Sequence, residues 1–324
     1  MKKIIKTIGL IVVSLIVLSA ITFVMSRKAP GDPLVAYYGD RTSRMSTEQR
    51  QQAIHRLELD KPLPQQYLAW AKSSLKGDFG ISYKYKEKVE SVIAKRFLNT
   101  LILGGIGFGL TFFLALLLGR LCIRYEDSRL DRIICKVGIV TSCIPEFWMS
   151  LLFILVFSVM FRLLPSSGAF GLGEASDFGS RIRHMILPLA VLILSHLWYY
   201  AYLIRNRLAE EVRMDYVLLE KGIGLSRAQI LNRHCIRNIL PTFISLMAIS
   251  LNHILEGTYI VEMVFSYPGL GTLSFESAKY HDYNMLMILV LITGTLVIIG
   301  NRIGQVISER IDSRMKWEVI RHES

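Results

Sequence analysis

The chain has 324 residues, of which 52% are hydrophobic and 20% charged, and its formal net charge is +12. The apolar residues gather in long runs and show no strand-like alternation, which excludes a water-soluble globular domain and a β-barrel and predicts an all-α membrane protein. The positive charge could suggest nucleic acid, but Lys and Arg concentrate where the positive-inside rule puts them, so the expected contacts are membrane lipids and no nucleic acid.

A helix of about 20 apolar residues crosses the hydrocarbon core. Six such runs are present: Ile8 to Met25, Phe97 to Leu118, Ile133 to Phe161, Met185 to Ile204, Ile239 to Phe265 and Met285 to Gly300. The opening MKKIIK and the run after it have the order of a secretory signal, but the run is longer than a usual signal core, so residues 1–26 are read as the first span. Lys2, Lys3 and Lys6, then Arg120, Arg124, Arg129 and Arg132, then Arg205 through Arg237, then Arg302 through Arg321 fall on one side, which sets the orientation as N-in, C-in. The short outside loops hold only Arg162, Arg181, Arg183 and Lys279, and the long basic first loop is exempt by its length. The expected location is a cytoplasmic (inner) membrane, crossed several times.

Residues 27–96 form an outside loop with structure of its own. Ser46 and Gln49 have capping-box spacing, and apolar residues follow at helical intervals until Pro62 and Pro64, so a small helical extracytoplasmic element is predicted. The remaining spans make up residues 97–309. In the second span GGIGFG has the glycines of a dinucleotide loop but no strand before it, and Gly105 with Gly109 reads as a small-xxx-small pair for close helix packing. The third run, at roughly 1.5 Å per residue, is longer than a straight crossing needs, and Pro145 is expected to kink it. Cys122, Cys135, Cys143 and Cys235 all fall in spans or on the inner side, so no disulfide framework or structural zinc is implied.

Between the fourth and fifth spans stands GLSRAQILNRHCIRNILP, Gly224 to Pro241. Gly224 is a helix stop, and Ser226 with Gln229 caps a new helix, giving a helix-turn-helix on the inner side. Ala228, Leu231, Cys235 and Ile239 form an apolar face, while Arg227, Arg233, His234 and Arg237 occupy the other surface. An orienting loop lying on anionic headgroups accounts for the charges, but the segment is too long and regular for a connector, and a partner groove would use both faces. A cytoplasmic tail, 310–324, ends the chain.

Polar residues inside the spans are Glu146, His196, Asn252, His253, Glu256, Glu262, Asn301 and Arg302. A charge at mid-span costs about 2.5–3.5 kcal/mol on insertion scales, so these side chains face protein or water. His253 and Glu256 are one turn apart on one face. They read either as an interhelical hydrogen bond to a partner subunit or as transient ligands for a passing Ni²⁺ or metal chelate, and no certain metal site is assigned. His196 reads as a satisfied interior histidine, and Glu146 beside Pro145 as part of a kink.

The segment DYVLLEKGIGLSRAQILNRHCIRNILP resembles the EAA-type coupling loop of permease subunits in bacterial ATP-binding-cassette importers of the peptide, opine and nickel subfamily. APGDP (Ala29 to Pro33), LDKPLPQQYLAW, KGDFGISY, IPEFW, LLPSSG and VEMVFSYPGLG extend the resemblance along nearly the whole chain. It implies a type I ABC importer permease fold with six transmembrane helices and a coupling loop at 206–238 that lies in a groove of a cytoplasmic ATPase. Asp215, Glu220, Gly224, Leu225, Arg233, Arg237 and Pro241 would carry that coupling, and Asn252, His253, Glu256, Glu262 and Glu146 are the translocation-path candidates. Glu262 matches an acidic position common in the family, whereas His253 and Glu256 stand where small residues are usual. LLEKGIG replaces the family's small residues and Ala-Lys pair ahead of the loop glycine.

The resemblance further implies a second homologous permease in a heterodimer, two cytoplasmic ATP-binding subunits and an extracytoplasmic substrate-binding protein. The chain lacks G-x-x-x-x-G-K-[ST], G-x-S-x-G and H-E-x-x-H, so it is not expected to be an enzyme or to bind a cofactor; ATP and Mg²⁺ belong to the partner ATPases. The expected cargo is a peptide or a nickel or other metal complex. An ion-driven secondary transporter is the alternative raised by the intramembrane Glu and His residues, although no inverted repeat or paired broken helices are evident. An intramembrane enzyme is disfavoured by the lack of a paired nucleophile and base.

Overall fold

Inside a bilayer every backbone N–H and C=O has to find its partner within the protein, so the apolar runs of this chain become helices. The computed structural model describes residues 2–28, 34–57, 59–171, 173–174 and 177–311; the APGDP motif and the tail from 312 onward lie outside the described residues. In chain order the helices are α1 (Lys2–Lys28), α2 (Val35–Tyr38), α3 (Thr47–Arg56), α4 (Leu63–Ser74), α5 (Val89–Arg124), α6 (Arg129–Ser142) and α7 (Glu146–Phe153). They continue with α8 (Phe178–Glu211), α9 (Asp215–Gly222), α10 (Arg227–Ile230), α11 (Ile236–Val264), α12 (Leu270–Lys279) and α13 (Tyr283–Ile311). Among the described residues there is no strand, only an isolated bridge between Ile81 and Lys88.

Five of these helices are long and apolar enough to cross a membrane, and a sixth crossing results if α6 and α7 are taken as one span. That third span departs from the expected kink. Its two helices are bent by 103° across Cys143 to Pro145, and α7 widens into a π-helix over Ile154–Met160. The proline acts as N-cap of α7 and lacks an N–H to extend α6, so the run restarts in a new direction instead of bending.

The chain divides into two units, Met1–Asn99 with Pro268–Ile298 and Thr100–Tyr267 with Ile299–Ser324. In the first, α3 opens with the anticipated capping box: Ser46 N–H donates to Gln49 Oε1 at 3.1 Å and Gln49 N–H to Ser46 Oγ at 3.2 Å. α4 lies against α1. Tyr67 and Ser19 share a hydroxyl hydrogen bond of 2.8 Å, and Phe23 is buried with ring contacts to Tyr67 and Trp70. Across the same unit Ser82 donates to the buried Asp282 carboxylate, and Lys84 Nζ pairs with Glu276 Oε2 at 2.6 Å, where the Tyr85 hydroxyl also donates.

Burial raises the Glu276 carboxyl, but Lys84 and Tyr85 outweigh it and hold the group below the ordinary glutamate range. A carboxyl depressed in the folded state contributes stability above its unfolded value of about 4.3, and the contribution is lost as pH falls through the folded value. Thermal unfolding of the purified protein should therefore weaken with acidification through that window, and Glu276→Gln should flatten the dependence; an identical pH profile for the two would refute the assignment.

In the second unit Phe112, Leu192, Tyr200, Ile204, Leu208 and Ile254 are buried together, bringing α5, α8 and α11 into one core. The glycines that pack closely within the chain are not the expected ones. A side chain at Gly105 or Gly109 would meet nothing within 4 Å, whereas Gly107 faces Leu192, Gly119 faces Ile204, and Gly104 lies against Thr258. On α13, Gly300 and Gly304 pack against Leu251 and Ala248, a small-xxx-small face seated on α11.

Candidate functional site

The loop between α8 and α11 is built from backbone geometry that the sequence dictates closely. α8 continues to Glu211, so the first residues of the 206–238 segment are still helix. Asp215 lies in the first turn of α9, and the helix ends at Gly222. Gly224 takes φ +91°, a left-handed value that suits glycine, while its N–H donates to the Lys221 carbonyl and that of Leu225 to the Glu220 carbonyl. Ser226 and Gln229 then form a complete capping box.

Beyond that cap the structure differs from a helix-turn-helix. α10, a π-helical stretch at Leu231–Cys235 and α11 follow one another without a break, so the second helix is the beginning of the fifth span. Pro241 lies inside α11 instead of bounding the loop. The buried stripe of Leu231, Cys235 and Ile239 continues into the span, and this packing overcomes the roughly 3 kcal/mol that an interior proline costs. Ala228, expected on the same stripe, is exposed.

Side-chain contacts hold α9 in place. Tyr216 OH donates to Glu211 Oε1 at 2.8 Å, Asn238 Nδ2 donates to the same oxygen at 2.9 Å, and Val217 is buried beneath. Glu220 Oε1 stands 2.9 Å from His234 Nδ1. Glu126, in the preceding inner loop just after α5, receives Arg213 at 3.1 Å and Arg227 at 2.8 Å, and Arg227 also donates to the Ile123 carbonyl. Leu225 is half-buried against the core. The outward surface is apolar: Met214, Leu218, Leu219 and Ile223 are exposed, the last three by 65% to 73%. Arg233 and Arg237 are exposed on the adjoining helical surface.

A second cluster lies within the spans. His196 Nε2 on α8 is 3.3 Å from Glu146 Oε1 at the start of α7, and its Nδ1 is 3.0 Å from the Leu192 carbonyl. The ring stacks on Tyr200 at 6.2 Å. A side chain on Gly257 of α11 would come within 2.6 Å of Glu146 Oε1, so the glycine is what lets the carboxylate rest on that helix. His253 and Glu256, on the same helix as Gly257, are exposed in the chain. Asn252 Nδ2 donates to Asn301 Oδ1 at 2.9 Å, and Glu262 is fully buried. Among the described residues no group of three His, Cys, Asp or Glu side chains could hold a metal ion.

Sequence reasoning treated Glu146 and His196 separately and missed their pairing. It also missed Asp131 and Arg205, whose side chains meet through two hydrogen bonds, Nε to Oδ1 at 3.2 Å and Nη2 to Oδ2 at 2.9 Å, tying α6 to α8. Asp131 was readable only as the N3 residue after Ser128, which caps α6. Glu126 was hidden in the same way inside a loop noticed for its positive charge.

Residues 111–317 match the family described as binding-protein-dependent transport system inner membrane component, and residues 1–104 match the N-terminal part described for such membrane components. The chain belongs to this family. The oligopeptide transport system permease protein AppB of Bacillus subtilis is 29% identical over 301 residues, covering 93% of this chain and 94% of that protein. The dipeptide transport system permease protein DppB of Escherichia coli is 27% identical over 334 residues, covering 97% and 98%. A chain of the MetNI methionine ABC transporter, solved in inward-facing conformations, aligns with TM-score 0.52 and 16% identity over 67% of this chain and 97% of its own, which establishes a common fold. This inner membrane component is accordingly a multi-pass permease subunit of a bacterial importer. Membership implies a substrate-binding protein and an ATPase as its partners in general.

Proposed function

We propose that this permease subunit forms one half of a heterodimeric pore through which an ATP-driven importer moves peptides. Two cytoplasmic ATPases and an extracytoplasmic binding protein complete the complex. The observation that carries the reading is the apolar outer surface of α9, Leu218, Leu219 and Ile223, on a helix held from behind by Glu211, Tyr216, Asn238 and the Glu220–His234 contact. Exposed apolar side chains on a firmly anchored, otherwise charged element suit a permanent seat in a partner groove. Asp215, Gly224, Arg233 and Arg237, all exposed on this segment, are assigned to the coupling.

Closure of the ATPases shifts the permease only if the two states hold this helix differently. α9 transmits the shift through Tyr216 and Glu211 into α8, and through Asn238 and His234 into the fifth span. The chain itself binds no cofactor and hydrolyses nothing, and ATP with Mg²⁺ works in the partners. The relatives named for oligopeptides and dipeptides favour peptide over nickel as cargo. Asn252, His253, Glu256, Glu262 and Glu146 are proposed to border the path.

The test is uptake by proteoliposomes containing the complete complex and its binding protein. A labelled dipeptide should accumulate only with ATP inside, and ⁶³Ni²⁺ should not. Accumulation driven by an ion gradient without ATP would replace this reading by that of a secondary transporter, and uptake of ⁶³Ni²⁺ alone would change the cargo.

A further inference from the structure

We propose that the first extracytoplasmic segment, residues 35–76, lies in the outer surface of the membrane and binds the phosphate headgroup of an anionic lipid through Arg41, Arg44 and Arg56. Two independent observations converge on this.

The first is the character of α4. Leu63, Tyr67 and Trp70 fall on one face, which meets α1 at Ser19 and Phe23, residues inside the apolar run of the first span. Contact at that height brings α4 down to the bilayer boundary instead of projecting it into water. Leu68 and Leu75 fall next to that face and are exposed by 66% and 90%. Gln65, Lys72 and Lys76 occupy the opposite arc. An apolar arc wider than its protein partner covers, a polar arc behind it and a Tyr/Trp pair at the junction are the marks of a helix lying in an interface.

The second is a cavity of about 480 Å³ between the 3₁₀ turn at Gly39–Arg44 and α3. Among its described lining residues are Tyr38, Arg41, Arg44, Gln49, Gln52 and Arg56, all donors or potential donors, and none of those described is acidic. The three arginines are exposed to it. α3 is fastened beside α4, since the Leu59 N–H donates to the Ile54 carbonyl and the Gln66 side-chain amide to the Leu59 and Lys61 carbonyls. The cavity is therefore carried at the level that the interfacial helix sets. Guanidinium groups take phosphate in paired hydrogen bonds, and at that level the abundant phosphate is a lipid headgroup.

The assembled complex in nanodiscs of phosphatidylcholine with a minority of phosphatidylglycerol, released into detergent and read by native mass spectrometry, tests this. Three arginines beside an anionic surface make retention of phosphatidylglycerol over phosphatidylcholine about tenfold or more the expected result. The variant R41Q/R44Q/R56Q should lose most of that preference, R41K/R44K/R56K should keep part of it, and R129Q/R132Q on the other side of the membrane should lower it far less. The single variant R44Q should weaken it measurably. Equal retention of the two lipids by the unaltered protein, or undiminished preference in the Gln variants, overturns the proposal. Displacement of the lipid by millimolar inorganic phosphate would identify a free-phosphate site and overturn it too. So would lipid retention that persists in the Gln variants while stimulation of ATP hydrolysis by the binding protein disappears, which would assign the arginines to an acidic protein surface.

Discussion

Replacing Gly224 by valine is expected to leave the chain inserted and assembled yet to cut ATP-dependent peptide uptake about tenfold, with ATP hydrolysis continuing. Gly224 holds φ +91°, and nothing would lie within 4 Å of an added Cβ, so the fault comes from the backbone and not from crowding. A left-handed conformation costs an L-residue about 1–2 kcal/mol, with a β-branched side chain at the unfavourable end, and 1.4 kcal/mol is a tenfold change in population. The loop would escape the strain by releasing the bonds that run from Gly224 and Leu225 to the end of α9, and the proposed ATPase-facing surface of α9 would lose its set angle. Gly222→Ala, also with open space around it but without a positive φ, should keep uptake within about twofold. Parallel uptake and ATPase measurements on the two variants decide the matter, and full uptake by Gly224→Val would remove α9 from the coupling path.

The largest loss of stability is expected from Asp131→Ala. Asp131 is 3% exposed and meets Arg205 through two hydrogen bonds, while also accepting from the Asp127 N–H. Removing one member of a buried pair strands the other, at a cost of about 3–5 kcal/mol. Here the stranded group is a guanidinium that stays charged in any protein environment. Exchanging both partners for apolar residues of similar volume, Asp131→Leu with Arg205→Met, should recover most of that loss, because no uncompensated charge remains. Thermal unfolding of the detergent-solubilised complex, followed by tryptophan fluorescence, should rank the double variant well above Asp131→Ala. A single variant as stable as the original would mean that the pair is no fastening between α6 and α8.

The residues that were legible in advance share a local cause. Six apolar runs of spanning length, the Ser46–Gln49 and Ser226–Gln229 caps and the stop at Gly224 are each decided within a few neighbours along the chain. What escaped depends on partners far apart in sequence. Asp131 and Arg205 are separated by 74 positions, and neither has a local pattern that announces the other. Glu146 and His196 were both singled out, but only the fold puts them 3.3 Å apart beneath Gly257. The glycines follow the same rule: GGIGFG identified a small-residue stretch, while the choice of Gly104 and Gly107 over Gly105 and Gly109 depends on where α8 and α11 lie. Pro241 is tolerated inside α11 for a different reason. A proline usually marks an end, and here a buried stripe on both sides of it outweighed the local preference.

The 103° turn between α6 and α7 has a bearing on how the cell handles this protein. A helix that stops within an apolar run leaves carbonyls at one stump and amides at the other without their usual helical partners, and lipid tails offer them nothing. His253 and Glu256, uncovered in the single chain, add to that deficit. In the heterodimer proposed above, a companion subunit covering these groups would make a copy synthesised alone the less durable form.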